Sequence, residues 1–73
     1  MSRNPIFPVT LFKVPAMGLI DRPVQSDGQR GRIRYDGTTW FAQSYRVGLT
    51  FSIGQSVSIV ARQGNTLLVL PST

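Results

Sequence analysis

The sequence predicts an all-β domain, a small five-stranded antiparallel OB-fold barrel, with an SH3-like barrel as the alternative closure. Three observations carry this. Short runs of alternating apolar and polar residues recur along the chain, glycine-containing turns separate them, and no segment shows a 3.6-residue apolar period. At 73 residues the chain is one small domain, of a size that buries only about 60% of its unfolded surface. With 41% apolar, 10% aromatic and 15% charged residues, it is too rich in core formers and too poor in charge to read as disordered.

Residues 1–17 carry Pro5, Pro8 and Pro15, which argue against helix and suggest an extended N-terminal arm ahead of a barrel domain over 18–73. Ile6 to Val14 is apolar, but Pro8 and Lys13 interrupt it, and it falls short of the ~20 residues that span a bilayer. No cleavage pattern of small residues follows a long apolar core, so a secretory signal is not indicated. Pro5-Ile6-Phe7-Pro8 fits a PxxP pattern that is too short to carry a ligand role.

The first strand is expected over Gly18–Gln25, with Pro23 at an edge or a bulge because it cannot donate to a ladder. Ser26-Asp27-Gly28-Gln29 has the composition of a turn. The next two strands flank Asp36-Gly37, a pair suited to a type I′ hairpin because both of its central positions need φ > 0. A two-residue turn fixes the register. It sets Tyr35 opposite Thr38, Ile33 opposite Trp40 and a crowded Gly31 opposite Ala42 on the apolar face. The other face then carries Arg34 with Thr39, Arg32 with Phe41 and Arg30 with Gln43.

Tyr45 to Gly54 reads as a loop, with Ile53 tucked into the core. Gln55 to Gln63 is the clearest strand, with Val57, Ile59 and Ala61 alternating against polar neighbours. Gly64-Asn65 turns the chain into Thr66–Leu70, and Pro71 ends it. The register of this second hairpin is open. A two-residue turn sets Ala61 beside Leu68, whereas a three-residue loop sets Ala61 beside Val69 and groups Val57, Ile59, Leu67 and Val69. Leu67 to Leu70 is apolar on both sides, which fits either a doubly buried strand or one exposing Leu68 and Leu70.

The residue inventory argues against an enzyme. There is no cysteine and no histidine, and the only carboxylates are Asp21, Asp27 and Asp36. Neither a protein-built zinc site nor a paired-carboxylate centre has its raw material, and no cofactor is expected. The lack of cysteine suits a reducing compartment. Seven arginines and one lysine give a net charge of +5, an excess that suits nucleic acid, an acidic protein or anionic lipid.

Arg30, Arg32, Arg34 and Phe41 form the candidate partner-binding face. Three cations two residues apart lie on one side of one strand, where arginine favours planar contact with carboxylate or phosphate. Phe41 sits among them, and an arginine over its ring, Arg32 by the hairpin register, contributes ~0.5–1 kcal/mol. The plain alternative is a solvated strand face that discourages edge pairing. Trp40, opposite Ile33, is expected in the core. Reversing Arg32 to glutamate is expected to weaken partner capture with little loss of stability.

Gly18, Gly28 and Gly31 with Ile33, Gly37 followed by Trp40 and Ala42, Ile53 with Gly54, Val57 and Ile59, Gly64, and Leu67 and Val69 before Pro71 form an ordered set. This set resembles the C-terminal soluble domain of the NfeD family over residues 18–71. The resemblance implies a five-stranded OB barrel that is not an enzyme but a partner-binding module. Its implied partners are stomatin- or flotillin-like proteins associated with membranes. Longer members carry transmembrane helices or a serine-protease domain as well. Residues 1–17 are too short and too broken by proline to supply either, so only the soluble module carries over, cytoplasmic or held at a membrane through its partner.

Two other readings compete. The alternative function is single-stranded nucleic-acid binding, in which a basic OB groove stacks bases on aromatic platforms. Phe41, helped by Tyr45, would have to serve, without the paired aromatics of cold-shock domains. The last reading is self-association through an exposed final strand.

Overall fold

Asp36 and Gly37 take φ values of 53° and 79°, the left-handed pair that a type I′ turn requires. This turn holds together two of the five strands in the computed structural model, which describes residues 7–27 and 29–72. The strands are β1 (Val9–Arg22), β2 (Gly31–Tyr35), β3 (Thr38–Ser44), β4 (Ser56–Gln63) and β5 (Thr66–Pro71). The β2–β3 register is the one the turn dictates, with Tyr35 opposite Thr38, Ile33 opposite Trp40 and Gly31 opposite Ala42.

The strands close in the ring order β1-β2-β3-β5-β4, with β4 returning to β1. This is the OB-type closure. The expectation of a wholly antiparallel barrel needs one correction. Five strands cannot alternate direction around a closed ring, so one neighbouring pair must be parallel. That pair is β3–β5, aligned from Phe41 opposite Thr66 to Ser44 opposite Val69.

β1 starts at Val9, nine residues ahead of the expected Gly18, so the expected boundary between arm and barrel falls inside a strand. Proline forbids helix here without forbidding an extended chain. Val9–Leu11 pair with Gln63–Ala61 and Ala16–Leu19 with Ile59–Ser56. Residues 12–15 between them face Val60 alone, and the donor missing at Pro15 falls in that irregular stretch. Pro5 and Ile6 of the PxxP pattern, and Gly28 of the expected turn, lie outside the described residues. Beside Gly28, the Asp27 Oδ1 accepts a hydrogen bond from the Gln29 amide at 3.0 Å.

At its other end β1 pairs with β2, and Asp21 is one residue too many: Ile20 lies opposite Ile33 and Arg22 opposite Arg32. Pro23 then ends the strand, just past this bulge. Val24 bridges to Phe51 through amide–carbonyl hydrogen bonds of 3.0 and 3.1 Å. This bridge decides which loop residue fills the core. Phe51 is 3% exposed, while Ile53, expected to be buried, is 65% exposed. Ile53 lies in the turn that carries the chain from Phe51 to Gln55, where Gly54 has φ 87° and the Gln55 amide donates to the Ser52 carbonyl at 3.1 Å.

The second hairpin combines both registers left open by the sequence. Gly64-Asn65 is a two-residue turn that sets Gln63 opposite Thr66 and Ala61 opposite Leu68. A bulge at Val60 then shifts the ladder, so that Ile59 meets Val69 and Val57 meets Pro71. The last strand is buried on both faces from Thr66 to Val69, with Leu70 half-buried.

Ile20, Val24, Ile33, Ile59, Leu67, Val57 and Val69 are the largest fully buried side chains, and burying each stabilises the fold by about 1.5–3 kcal/mol. Phe12, Tyr35, Leu49 and Trp40 pack against this cluster from its edges. Trp40 is therefore half-buried rather than central.

Gly31 is crowded, but by the end of β1 rather than by Ala42. A Cβ there would lie 2.5 Å from the Arg22 carbonyl oxygen and 2.6 Å from that of Pro23. Gly31→Ala is accordingly expected to cost about 1–3 kcal/mol in a urea melt. Gly37→Ala meets no atom within 4 Å and is expected to lose only about 1 kcal/mol, through its positive φ. Equal losses would show that backbone approach at Gly31 does not limit the fold.

Candidate functional site

The β2–β3 register sets Arg34 beside Thr39 and Arg32 beside Phe41 on the outer side of the hairpin, with Arg30 just ahead of β2. Backbone placement thus follows the sequence. The side chains find different partners.

Arg32 does not lie over Phe41. Its Nε and Nη2 both reach the Asp21 Oδ2 at 2.9 Å, in a half-buried ion pair. The bulge at Asp21 brings that carboxylate alongside Arg32, and a charge-assisted hydrogen bond outweighs the ~0.5–1 kcal/mol available over an exposed ring. Arg30 takes the ring instead, its Cζ 3.9 Å from the Phe41 centroid. Diagonal neighbours on a sheet face are within reach of long side chains. Arg30 Nη1 also donates to the Thr66 Oγ1 at 3.2 Å and the Asn65 Oδ1 at 3.4 Å, tying the start of β2 to the β4–β5 turn.

Arg34 is exposed, opposite Leu19 in the β1–β2 register. Its guanidinium makes no hydrogen bond or ion pair among the described residues. Phe41 keeps 39% of its surface exposed beneath Arg30. The four residues therefore share one side of the hairpin but divide their work. Arg30 and Arg32 are held by the protein itself, and Arg34 is free to meet an external group.

A second cation–aromatic pair reaches across β5, from β4 to β3. The Arg62 Cζ is 4.8 Å from the Trp40 ring centroid, and the Arg62 Nε donates to the Gly64 carbonyl at 2.8 Å. The Trp40 Nε1 is buried and has no hydrogen-bond partner among the described residues. Sequence reasoning missed Arg62. Its signal lies in the second hairpin, where Arg62 stands opposite the core residue Leu67, and that register was open. Arg32, Thr39, Trp40, Phe41 and Asn65 line a shallow hollow between the two pairs. Donors and ring faces of this kind suit a carboxylate-bearing or aromatic side chain of a partner. No three His, Cys, Asp or Glu side chains come together among the described residues, and no helix there is long and apolar enough to cross a membrane.

A family model described as the NfeD-like C-terminal, partner-binding domain matches residues 16–71. Two solved structures share the fold. One is the soluble domain of a membrane protein implicated in regulation of membrane protease activity from Corynebacterium glutamicum. It is 30% identical with a TM-score of 0.74, and the alignment covers 82% of this chain and 92% of that one. The other is the C-terminal domain of a stomatin operon partner protein from Pyrococcus horikoshii. It is 25% identical with a TM-score of 0.69, covering 82% of this chain and 88% of that one. No curated protein matches the chain.

The Arg32–Asp21 pair revises what reversal of Arg32 should do. Arg32→Glu sets a second carboxylate against Asp21 and is expected to lower stability by roughly 1 kcal/mol, part of which Asp21→Asn restores in the double variant. Chemical denaturation of the two single variants and the double measures this, and simple additivity would mean the ion pair is not coupled in solution.

Proposed function

The chain belongs to the NfeD-like C-terminal, partner-binding family, and from that premise we propose that it is a non-enzymatic module that captures a stomatin- or flotillin-like membrane-associated protein. The family match over residues 16–71 carries this reading. The likeness to the C-terminal domain of a stomatin operon partner protein supports the choice of partner. Such a partner would hold the module, on the cytoplasmic side, at the membrane surface.

Arg30, Arg32, Arg34 and Phe41 form the proposed contact face. Arg34 meets an acidic group on the partner, and the exposed edge of Phe41 supplies apolar contact. Arg30 and Arg32 act as positioning residues, one fixing the ring and the other fixing the strand against Asp21. The same geometry counts against single-stranded nucleic acid. A base would need the Phe41 face that Arg30 covers at 3.9 Å, and the stacking worth about 1–3 kcal/mol per base would require displacing it.

Pull-down from the source cells tests the reading. The wild-type chain is expected to enrich a stomatin- or flotillin-like protein. Arg34→Glu is expected to reduce capture several-fold while changing stability by less than about 0.5 kcal/mol, as surface substitutions do. Recovery of nucleic acid or ribosomes alone would overturn the proposal.

A further inference from the structure

The outer side of β1, where it runs beside β4, leaves apolar residues in solvent that the β2–β3 face does not use. Residues directly opposite in a sheet share a face. The register therefore builds one row from Leu11, Ala61 and Leu68, and another from Met17, Ser58 and Leu70. Ala61 and Leu68 are buried, yet neither belongs to the central core cluster. The bulge at Val60 is the reason, because one extra residue reverses the alternation of faces. Along β1 the rows are widely open: Leu11 is 63% exposed and Met17 58%, with Val9 and Leu19 also exposed, and Val14, in the irregular stretch between them, is 78% exposed.

Charge singles out what such a face would meet. All three carboxylates fall between residues 21 and 36, so β1 as far as Ile20, and the whole of β3, β4 and β5, carry none. Lys13 lies within the apolar run, and exposed Arg34 stands opposite Leu19 at its border. The chain as a whole is +5. Nothing on this side repels an anionic surface, whereas two copies of a +5 chain repel each other. Strand addition is also discouraged. Among the described residues no pairing partner lies on the β2 side between Val9 and Met17, but Pro8 and Pro15 bracket that edge and remove donors from it.

Composition separates a membrane from a rigid protein partner. Protein hot spots favour Trp, Tyr and Arg seated in pockets, while this strip is aliphatic residues and methionine on the outer wall of a barrel. Side chains that project singly between cations suit a fluid apolar layer beneath anionic headgroups. We propose that the outer side of β1 rests directly on an anionic lipid bilayer. Leu11, Val14 and Met17 enter the headgroup–acyl boundary, and Lys13 meets lipid phosphates. This contact does not depend on the identity of any protein partner.

Co-sedimentation of the whole chain with vesicles tests it, comparing phosphatidylcholine alone with phosphatidylcholine containing about one-quarter phosphatidylglycerol. Binding is expected only to the anionic vesicles, and to weaken as salt rises from about 0.05 to 0.5 M. Leu11→Ser with Met17→Ser is expected to lower the partition coefficient roughly tenfold, because both apolar anchors are lost. An unchanged thermal melt certifies the variant's fold, and Lys13→Gln, at an exposed position, gives a second, smaller loss. Absence of binding to anionic vesicles overturns the proposal. So does binding that the serine variant leaves unchanged, which would be headgroup electrostatics without insertion. A lipid-free dimer in sedimentation velocity that the serine variant dissociates also overturns it, since the face would then join copies of the chain.

Discussion

A ring of five strands has to contain one parallel pair, and where that pair falls decides how the rest of the barrel is arranged. Here it lies between β3 and β5, and β1 closes the ring by pairing with both β4 and β2. A strand of 14 residues is long enough to do so. Its first part pairs with β4, its last residues pair with β2, and the stretch from Ala16 to Leu19 carries the ladder from one to the other. A barrel this small buries a thin core, so closure through β1 is what brings Ile20, Ile33, Ile59 and Val57 into one cluster.

Sharing a strand has local consequences, and these consequences make the surface. β1 accommodates its two partners through an irregular stretch at residues 12–15 and a bulge at Asp21, and β4 adds another at Val60. The Asp21 bulge delivers a carboxylate to Arg32 and so leaves the Phe41 ring to Arg30. The Val60 bulge turns Ala61 and Leu68 away from the central cluster. Irregularities of the ladder, rather than its regular parts, distribute charge and apolar surface over the outside of the barrel.

The result is a barrel with two dissimilar sides that meet where Leu19 stands opposite Arg34. On the β2–β3 side most cationic groups are already engaged within the molecule, by Asp21, Phe41 and the β4–β5 turn. That engagement makes the face rigid and leaves Arg34 as its available cation. The outer side of β1 exposes apolar residues, and neither β1 as far as Ile20 nor β4 or β5 carries a carboxylate. One side presents a rigid set of engaged arginines with one guanidinium free among the described residues, and the other an apolar strip of β1 without carboxylates.

By itself the sequence determined everything set by local backbone chemistry. Asp36-Gly37 fixed its own turn and, through the period of two along a strand, the register that pairs Ile33 with Trp40 and Arg32 with Phe41. The alternation in Val57, Ile59 and Ala61 likewise located β4, and the ordered glycines and apolar positions carried the family. Only the tertiary structure decided what depends on residues distant in the chain. Prolines that argue against helix do not say whether an extended segment finds a neighbour, so the start of β1 waited on β4. The filling of the core by Phe51 in place of Ile53 waited on the bridge to Val24. The partners of Arg30, Arg32 and Arg62 waited on bulges and on a hairpin register that no local pattern encodes, because an extra residue in a ladder is favourable only when the closed ring requires it.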